Sequence, residues 1–316
     1  MSNFENVDPE QVELAKRFKD FTINSESLGP IRGLFGRMAQ LSENVPKNVN
    51  RRSVIYKSRD GHELTAWLYQ RTDQSAPSPL LFSIHGGGLL MGSPKDNDLR
   101  HLRLCSQLGC TVLSAAYRFA PEHPYPTPLN DVEDGLNYVL KNAEALNIDK
   151  SRIALSGDSA GGCLAAGLSQ ILRDRTEVSV KGLLLIYPML DATTAMETTV
   201  PAKFGQHVWT RGSNKFGWES YLQGQVKNAP ASPAHLENFK GLPPCTLFCG
   251  ELDLFFFETI TYAENLLEAG VDAKLYTYPK SIHAFTFAAE AAQTRLFDAH
   301  YDEAVKDTLG LSLIHI

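Results

Sequence analysis

His85-Gly86-Gly87-Gly88 follows the apolar run Leu80-Leu81-Phe82-Ser83-Ile84, and Gly157-Asp158-Ser159-Ala160-Gly161 closes a second run that begins Arg152-Ile153-Ala154-Leu155. Each is a glycine-rich turn at the end of a strand-like stretch. The second leads directly into the apolar helical stretch Ala160 to Leu168. That context predicts a serine held on a sharp strand-to-helix turn, with backbone N–H groups nearby that can bind an oxyanion. Gly157 and Gly161 suit such a turn, because a strained bend and a close helix–strand crossing leave no room for a Cβ.

Working outward, eight short runs rich in apolar and β-branched residues read as strands: 53–58, 63–71, 79–85, 110–117, 152–158, 182–188, 243–250 and 273–279. The first two flank Asp60-Gly61, a tight-turn signal, and predict a hairpin. From residue 79 onward the strands alternate with helical stretches near 95–108, 127–145, 160–174, 257–269 and 286–307. Near-continuous apolar strands alternating with helices predict an α/β fold with a mostly parallel sheet covered on both faces. Two regions fall outside the alternation. Residues 1–50 carry helical patterns with Phe18, Phe21, Leu34, Phe35 and Met38 available to face something apolar. Residues 191–232 separate two strands without a strand of their own and hold Phe204, Trp209, Phe216, Trp218 and Tyr221. Both are expected at the carboxyl edge of the sheet, where open α/β sheets bind ligands, as a bipartite helical cap. The catalytic domain would then comprise 51–190 and 233–316.

The bulk composition narrows the function classes. The chain has 316 residues, 43% of them hydrophobic and 21% charged, with a net charge of -6. That mild acidity argues against nucleic-acid or anionic-membrane partners, which need clustered Lys and Arg. No run approaches the roughly 18 apolar residues of a membrane span. The polar N-terminus shows no secretory pattern. The five cysteines (Cys105, Cys110, Cys163, Cys245, Cys249) form no CxxC pair and read as free buried thiols in a reducing cytoplasm. No metal site suggests itself, and a homodimer is left open. Leu311 to Ile316, after the helix-ending Gly310, read as a frayed tail or a cloning scar.

A serine hydroxyl is a poor nucleophile at neutral pH, so a base and an orienting acid must follow. For a serine on this kind of turn the chain order is Ser, then Asp or Glu, then His. After Ser159 stand His207, His235, His283, His300 and His315. His207 lies in the insertion, His235 in a Pro-rich connection, His300 inside a helical stretch and His315 in the tail. His283 alone follows the last strand directly, and its loop can place an imidazole beside the serine. The acid belongs at the end of the preceding strand, where Glu251 and Asp253 stand with Glu258 beyond. Asp253 is preferred because it falls in the loop, with Glu251 as the alternative. Ala160 N–H, at a helix N-terminus, should be one oxyanion donor. His85 reads as a positioner of its loop, together with Gly86.

His85-Gly86-Gly87-Gly88, Tyr117 to Glu122, Gly157 to Gly162, Tyr187-Pro188, Gly241 to Pro244, Asp253 and His283-Ala284-Phe285 together resemble the hormone-sensitive-lipase-like branch of the α/β-hydrolases. The resemblance spans about residues 50–290. It implies a cofactor-free carboxylesterase acting on small-molecule esters of short or medium acyl chain. It also implies a triad of Ser159, Asp253 and His283, with Gly87, Gly88 and Ala160 as the oxyanion hole. The chain departs from the family pattern at three places. Asp253-Leu254-Phe255 replaces Asp-Pro-Leu, and Cys163 stands where Asn is common. Ala284 replaces a glycine whose backbone angle Ala can also adopt. Arg118 and Glu122 are expected to brace the loop beside the oxyanion turn, and Asp158 to serve similarly. The same triad would also suit an arylamidase or lactonase. A non-catalytic receptor is disfavoured because His283 is retained. A true lipase is disfavoured because 191–232 mixes Lys203, Arg211, Lys215 and Glu219 with its apolar residues.

Overall fold

In the computed structural model, which describes residues 4–19, 21–175, 178–194, 200–225 and 227–311, all eight strand-like runs join one sheet. They are β1 (Val49–Lys57), β2 (Glu63–Arg71), β3 (Ser78–Ile84), β4 (Thr111–Ala115), β5 (Ile148–Asp158), β6 (Val180–Ile186), β7 (Cys245–Gly250) and β8 (Ala273–Tyr278). The order across the sheet is β1-β2-β4-β3-β5-β6-β7-β8. β1 and β2 form the antiparallel hairpin around Asp60-Gly61, and β2 meets β4 antiparallel. Every other pairing is parallel.

The helices are α1 (Val12–Arg17), α2 (Leu28–Met38), α3 (Asp98–Leu108), α4 (Thr127–Lys141), α5 (Ala160–Arg173), α6 (Arg211–Leu222), α7 (Phe256–Glu268) and α8 (Ala292–Leu309). Side-chain alternation along the strands divides the core in two. Leu80, Phe82 and Ile84 of β3 join Leu113, Leu155 and Leu185 on the face covered by α4, α5 and α7. Leu81, Val112, Ala154 and Leu184 point the other way, against Leu102 and Cys105 of α3 and Phe297 and Tyr301 of α8. Two covered faces explain why β3 and β4 read as near-continuous apolar runs, and every residue in them is buried.

Some expectations shift in detail. The last helix begins at Ala292 rather than near 286, because Ala284 takes a left-handed conformation (φ 56°, ψ 30°) and a short 3-10 turn, Phe285–Phe287, intervenes. Leu34 is 43% exposed instead of facing an apolar partner. His315 and the rest of 312–316 lie outside the described residues.

Arg118 and Glu122 are both engaged structurally, but with separate partners. Arg118 binds Asp131 and Asp60. Glu122 pairs with Arg32 of α2, whose guanidinium also donates to the carbonyls of Leu90 and Ala120 at 2.7 Å each. That one side chain ties the N-terminal segment to the loop following the three glycines. Among the described residues, no helix is long and apolar enough to cross a membrane.

Candidate active site

Strand register, rather than sequence proximity, assembles the site. Ile84 pairs with Gly157, Asp158 with Ile186, and Gly250 with Tyr278. The loops leaving β3, β5, β7 and β8 therefore converge at one edge of the sheet. Ser159 stands on the turn between β5 and α5 at φ 55°, ψ −115°, a conformation rare for any residue but glycine. A Cβ on Gly157 would lie 2.1 Å from Gly161 O, and one on Gly161 would lie 2.1 Å from Ile84 O. Both obstacles are backbone, so only glycine fits at either position.

The structure brings Ser159, His283 and Asp253 into one hydrogen-bonded series. His283 Nδ1 lies 2.7 Å from Asp253 Oδ2, and Ser159 Oγ lies 3.0 Å from His283 Nε2. A carboxylate only accepts, so Nδ1 carries the proton and Nε2 presents its lone pair to the serine hydroxyl. Asp253 is fully buried, and its Oδ1 accepts the Phe255 N–H at 2.9 Å. Glu251 instead faces the sheet edge, where its carboxylate accepts from Thr277 Oγ1 at 3.2 Å. Glu258 is buried and accepts the Leu190 N–H at 2.6 Å, and burial holds its carboxyl well above the usual range. The imidazole of His283 is walled by Tyr187 at 5.0 Å, Phe255 at 5.2 Å and Trp209 at 6.4 Å between ring centroids.

The glycine loop lies directly against this turn: a Cβ on Gly86 would meet Asp158 O at 2.9 Å and Ser159 Cβ at 3.3 Å. Gly87 and Gly88 adopt φ 115° and 64°. The N–H groups of Gly87, Gly88 and Ala160 donate to no acceptor among the described residues. His85 Nδ1 bonds Gly86 O at 2.8 Å, its ring stacks on Tyr117 at 4.4 Å, and Tyr117 Oη donates to His85 O at 2.9 Å.

Residues 81–287 match a family described as alpha/beta hydrolase fold. The chain belongs to the α/β-hydrolase fold family. It is 29% identical to an ethyl acetate hydrolase from Pseudomonas putida over 72% of this chain and 73% of that protein. It is 32% identical to carboxylesterase NlhH from Mycobacterium tuberculosis over 66% of each chain. Among solved structures it resembles a bacterial heroin esterase with a TM-score of 0.87 and 32% identity, covering 98% of this chain and 99% of that one. These likenesses place this hydrolase in the hormone-sensitive-lipase-like branch.

Several residues important to the hydrolase's site escaped the sequence reading. Gln11, fully buried, donates from Nε2 to Ser281 Oγ at 2.8 Å and accepts the Ile282 N–H at 3.1 Å. It thus clamps the histidine loop to the N-terminal segment. Arg100 binds Asp158 at 3.0 Å with both side chains nearly buried, bracing the residue before the serine. Neither pairing leaves a local signal, because its members are far apart in sequence. A cavity of about 260 Å³ lies over Ser159, lined by Phe18, Phe21 and Phe35 from the N-terminal segment and by Trp209 from the insertion.

His85 and His101 couple the hydrolase's stability to pH. Burial lowers the His85 imidazole from 6.5 to about 4; burial, with Arg100 adding, lowers His101 to about 3. Both are neutral in the fold, while the unfolded chain takes up their protons as pH falls below 6.5. Their stabilisation is therefore complete above that pH and is lost progressively beneath it, at about 1.4 kcal/mol per unit for each group. Between pH 7 and pH 5 the pair contributes a loss on the order of 4 kcal/mol. It is opposed by Asp96 and Asp302, whose carboxyls burial raises to about 6, and by Glu258. The urea-unfolding readout is therefore the difference between wild type and His101→Gln at the two pH values. His101→Gln should flatten that slope, and an unchanged slope would remove His101 from the account.

Proposed function

We propose that this protein is a serine carboxylesterase in which Ser159 is the nucleophile, His283 the general base and Asp253 the acid that orients it. The observation that carries this reading is the hydrogen-bonded series Ser159, His283, Asp253 beside three amide N–H groups that have no acceptor among the described residues. His283 Nε2 takes the Ser159 proton as Oγ attacks the ester carbonyl, and the charge formed on the carbonyl oxygen is met by Gly87, Gly88 and Ala160 N–H. The imidazolium, stabilised by Asp253, then gives that proton to the departing alkoxide oxygen. Water, deprotonated by the same imidazole, attacks the acyl-enzyme, and the imidazolium returns that proton to Ser159 Oγ as the acid leaves. His85, neutral and turned onto its own loop, shapes the oxyanion segment without exchanging protons.

Residues 1–50 and 191–232 act, on this reading, as two parts of one cap over the serine. Their residues line the cavity, and Arg32 and Gln11 fasten the first part to the catalytic loops. Small-molecule esters of short or medium chain suit a cavity of about 260 Å³. The five free buried thiols, with Cys105 pushed up to about 12 by burial, suit a reducing cytoplasm.

The test is turnover of p-nitrophenyl acetate beside p-nitroacetanilide and a γ-lactone. Ester hydrolysis should dominate by orders of magnitude. Faster cleavage of the anilide or the lactone would reassign the bond. A folded protein that cleaves none of them would be a ligand-binding member of the family.

A further inference from the structure

Trp209 occupies a position that the chemistry above does not use. A Cβ on Gly88 would lie only 1.9 Å from Trp209 Cη2, so the indole rests directly on the oxyanion glycine. The ring is 4% exposed and held from both ends. Its Nε1 donates to Asn214 Oδ1 at 3.1 Å, while Asn214 Nδ2 donates to Thr194 O at 2.9 Å, and Asn214 is fully buried. On the backbone side, Val208 sits at φ 62°, and the Trp209 N–H closes a γ-turn on His207 O at 2.7 Å. A β-branched residue in that region is a genuine outlier, and this form of the γ-turn is the strained one. The fold thus carries local strain to hold the indole where it is.

Behind the indole there is no room. A Cβ on Gly217 of α6 would meet Gly88 O at 3.0 Å, Trp209 Cζ2 at 3.5 Å and Met189 Cε at 3.8 Å. Among the described residues of the insertion only Val208 and Trp209 line the cavity, so the cavity ends at this wall. On the other side it is bounded by Phe18, Phe21, Phe35, Met38 and Phe287. Met38 and Phe287 are 50% and 52% exposed at its rim.

An ester places two substituents on its carbonyl carbon, and the two sides of this site are unequal. The leaving oxygen must be within reach of His283 Nε2 to receive its proton. The alcohol therefore lies along His283, Ala284 and Phe287, the side that opens onto the N-terminal aromatic rings. The acyl substituent takes the remaining direction, toward Gly88, where it meets the indole that rests on that glycine. We infer that Trp209 closes the acyl side of the site, making this enzyme selective for acetyl and propionyl esters of bulky apolar alcohols.

This inference rests on the esterase reading, and one experiment separates the two. Initial rates are measured on p-nitrophenyl acetate, butyrate and octanoate, and separately on ethyl acetate and 2-phenylethyl acetate. The proteins are wild type, Trp209→Ala, Trp209→Phe and Val208→Gly, each checked by thermal melting. For wild type, kcat/KM should fall about 100-fold from acetate to octanoate, and 2-phenylethyl acetate, whose alcohol matches ethanol as a leaving group, should be preferred to ethyl acetate. In Trp209→Ala the acetate-to-octanoate ratio should shrink to within about 10-fold, with the alcohol preference kept. Because the readout is a ratio within one protein, it does not depend on the active fraction. An unchanged acyl ratio in a well-folded Trp209→Ala would overturn the inference while leaving the esterase reading intact. So would a shift in alcohol preference with no change in acyl preference. Should Trp209→Ala fail to fold, Trp209→Phe and Val208→Gly decide: partial broadening toward butyrate supports the inference, and an unchanged ratio overturns it. A wild type that cleaves no ester overturns both readings together.

Discussion

Replacing Ser159 by alanine should reduce ester turnover by about 10⁵- to 10⁶-fold while leaving the fold in place. Both halves of that expectation follow from the turn itself. The strain at φ 55° belongs to any residue with a Cβ, so Ser159→Ala neither relieves nor worsens it. The substitution removes one atom, Oγ, whose partner in the structure is His283 Nε2 at 3.0 Å. Asp253 still hydrogen-bonds the imidazole, and the amides of Gly87, Gly88 and Ala160 still have no acceptor among the described residues. Substrate should bind with nearly unchanged affinity, and the residual rate should exceed that in water because the proposed oxyanion donors remain. Thermal melting and stopped assays with p-nitrophenyl acetate read the two halves separately. Retention of more than about 1% of turnover by a folded Ser159→Ala would mean that another group attacks the ester. The surrounding residues offer few substitutes, since burial raises the thiol of nearby Cys163 well above its ordinary range.

What was legible in the sequence was whatever turn chemistry writes locally. Gly157 and Gly161 could be read as a tight elbow because a Cβ at either position would lie 2.1 Å from a backbone oxygen, which excludes every other residue. Ala284, in place of a usual glycine, does adopt the left-handed angle that the motif requires, at φ 56°. The central strands were legible because a sheet buried on both faces writes near-continuous apolar runs, whereas β1 and β2, exposed along part of their length, were marked by the Asp60-Gly61 turn between them. Asp253 is preferred over Glu251 from its place in the loop, but the two differ by only two positions, and it is the bend after Gly250 that turns them apart.

What stayed hidden are pairings whose members are distant in the chain. Gln11 reaches a loop 270 residues away, and Arg32 spans 90 residues to Glu122. An isolated glutamine or arginine in a helical segment looks like a solvated face until the tertiary fold supplies its acceptor. Trp209 is a similar case. As one aromatic among several in 191–232 it signalled burial, and only its approach to Gly88 gives it a place in the site. Leu34 shows the converse, an apolar residue with helical spacing that meets solvent because α2 turns Phe35 inward instead.

The two candidate acids should part company when each is made neutral. Asp253→Asn should lower kcat by about 10⁴-fold. The amide is close in shape, and its oxygen can keep the Phe255 N–H that Oδ1 now accepts at 2.9 Å. Its NH₂, however, would face His283 Nδ1 and require a lone pair there. That fixes the opposite tautomer, places a proton on Nε2, and leaves Ser159 without a base. The imidazolium formed during attack would also lose its counter-charge in a site where Asp253 has no exposed surface. Glu251→Gln should instead stay within about threefold of wild type, since that carboxylate accepts only a Thr277 hydroxyl at the exposed edge. Steady-state kinetics at pH 8 on both variants, with melting temperatures alongside, settle the assignment. If Glu251→Gln took the larger loss, the acid would lie at the end of β7 and the 2.7 Å contact between Asp253 and His283 would be structural. A large loss at Asp253 confined to KM would likewise count against an orienting role, because a misdirected imidazole impairs the chemical step and not the binding of ester.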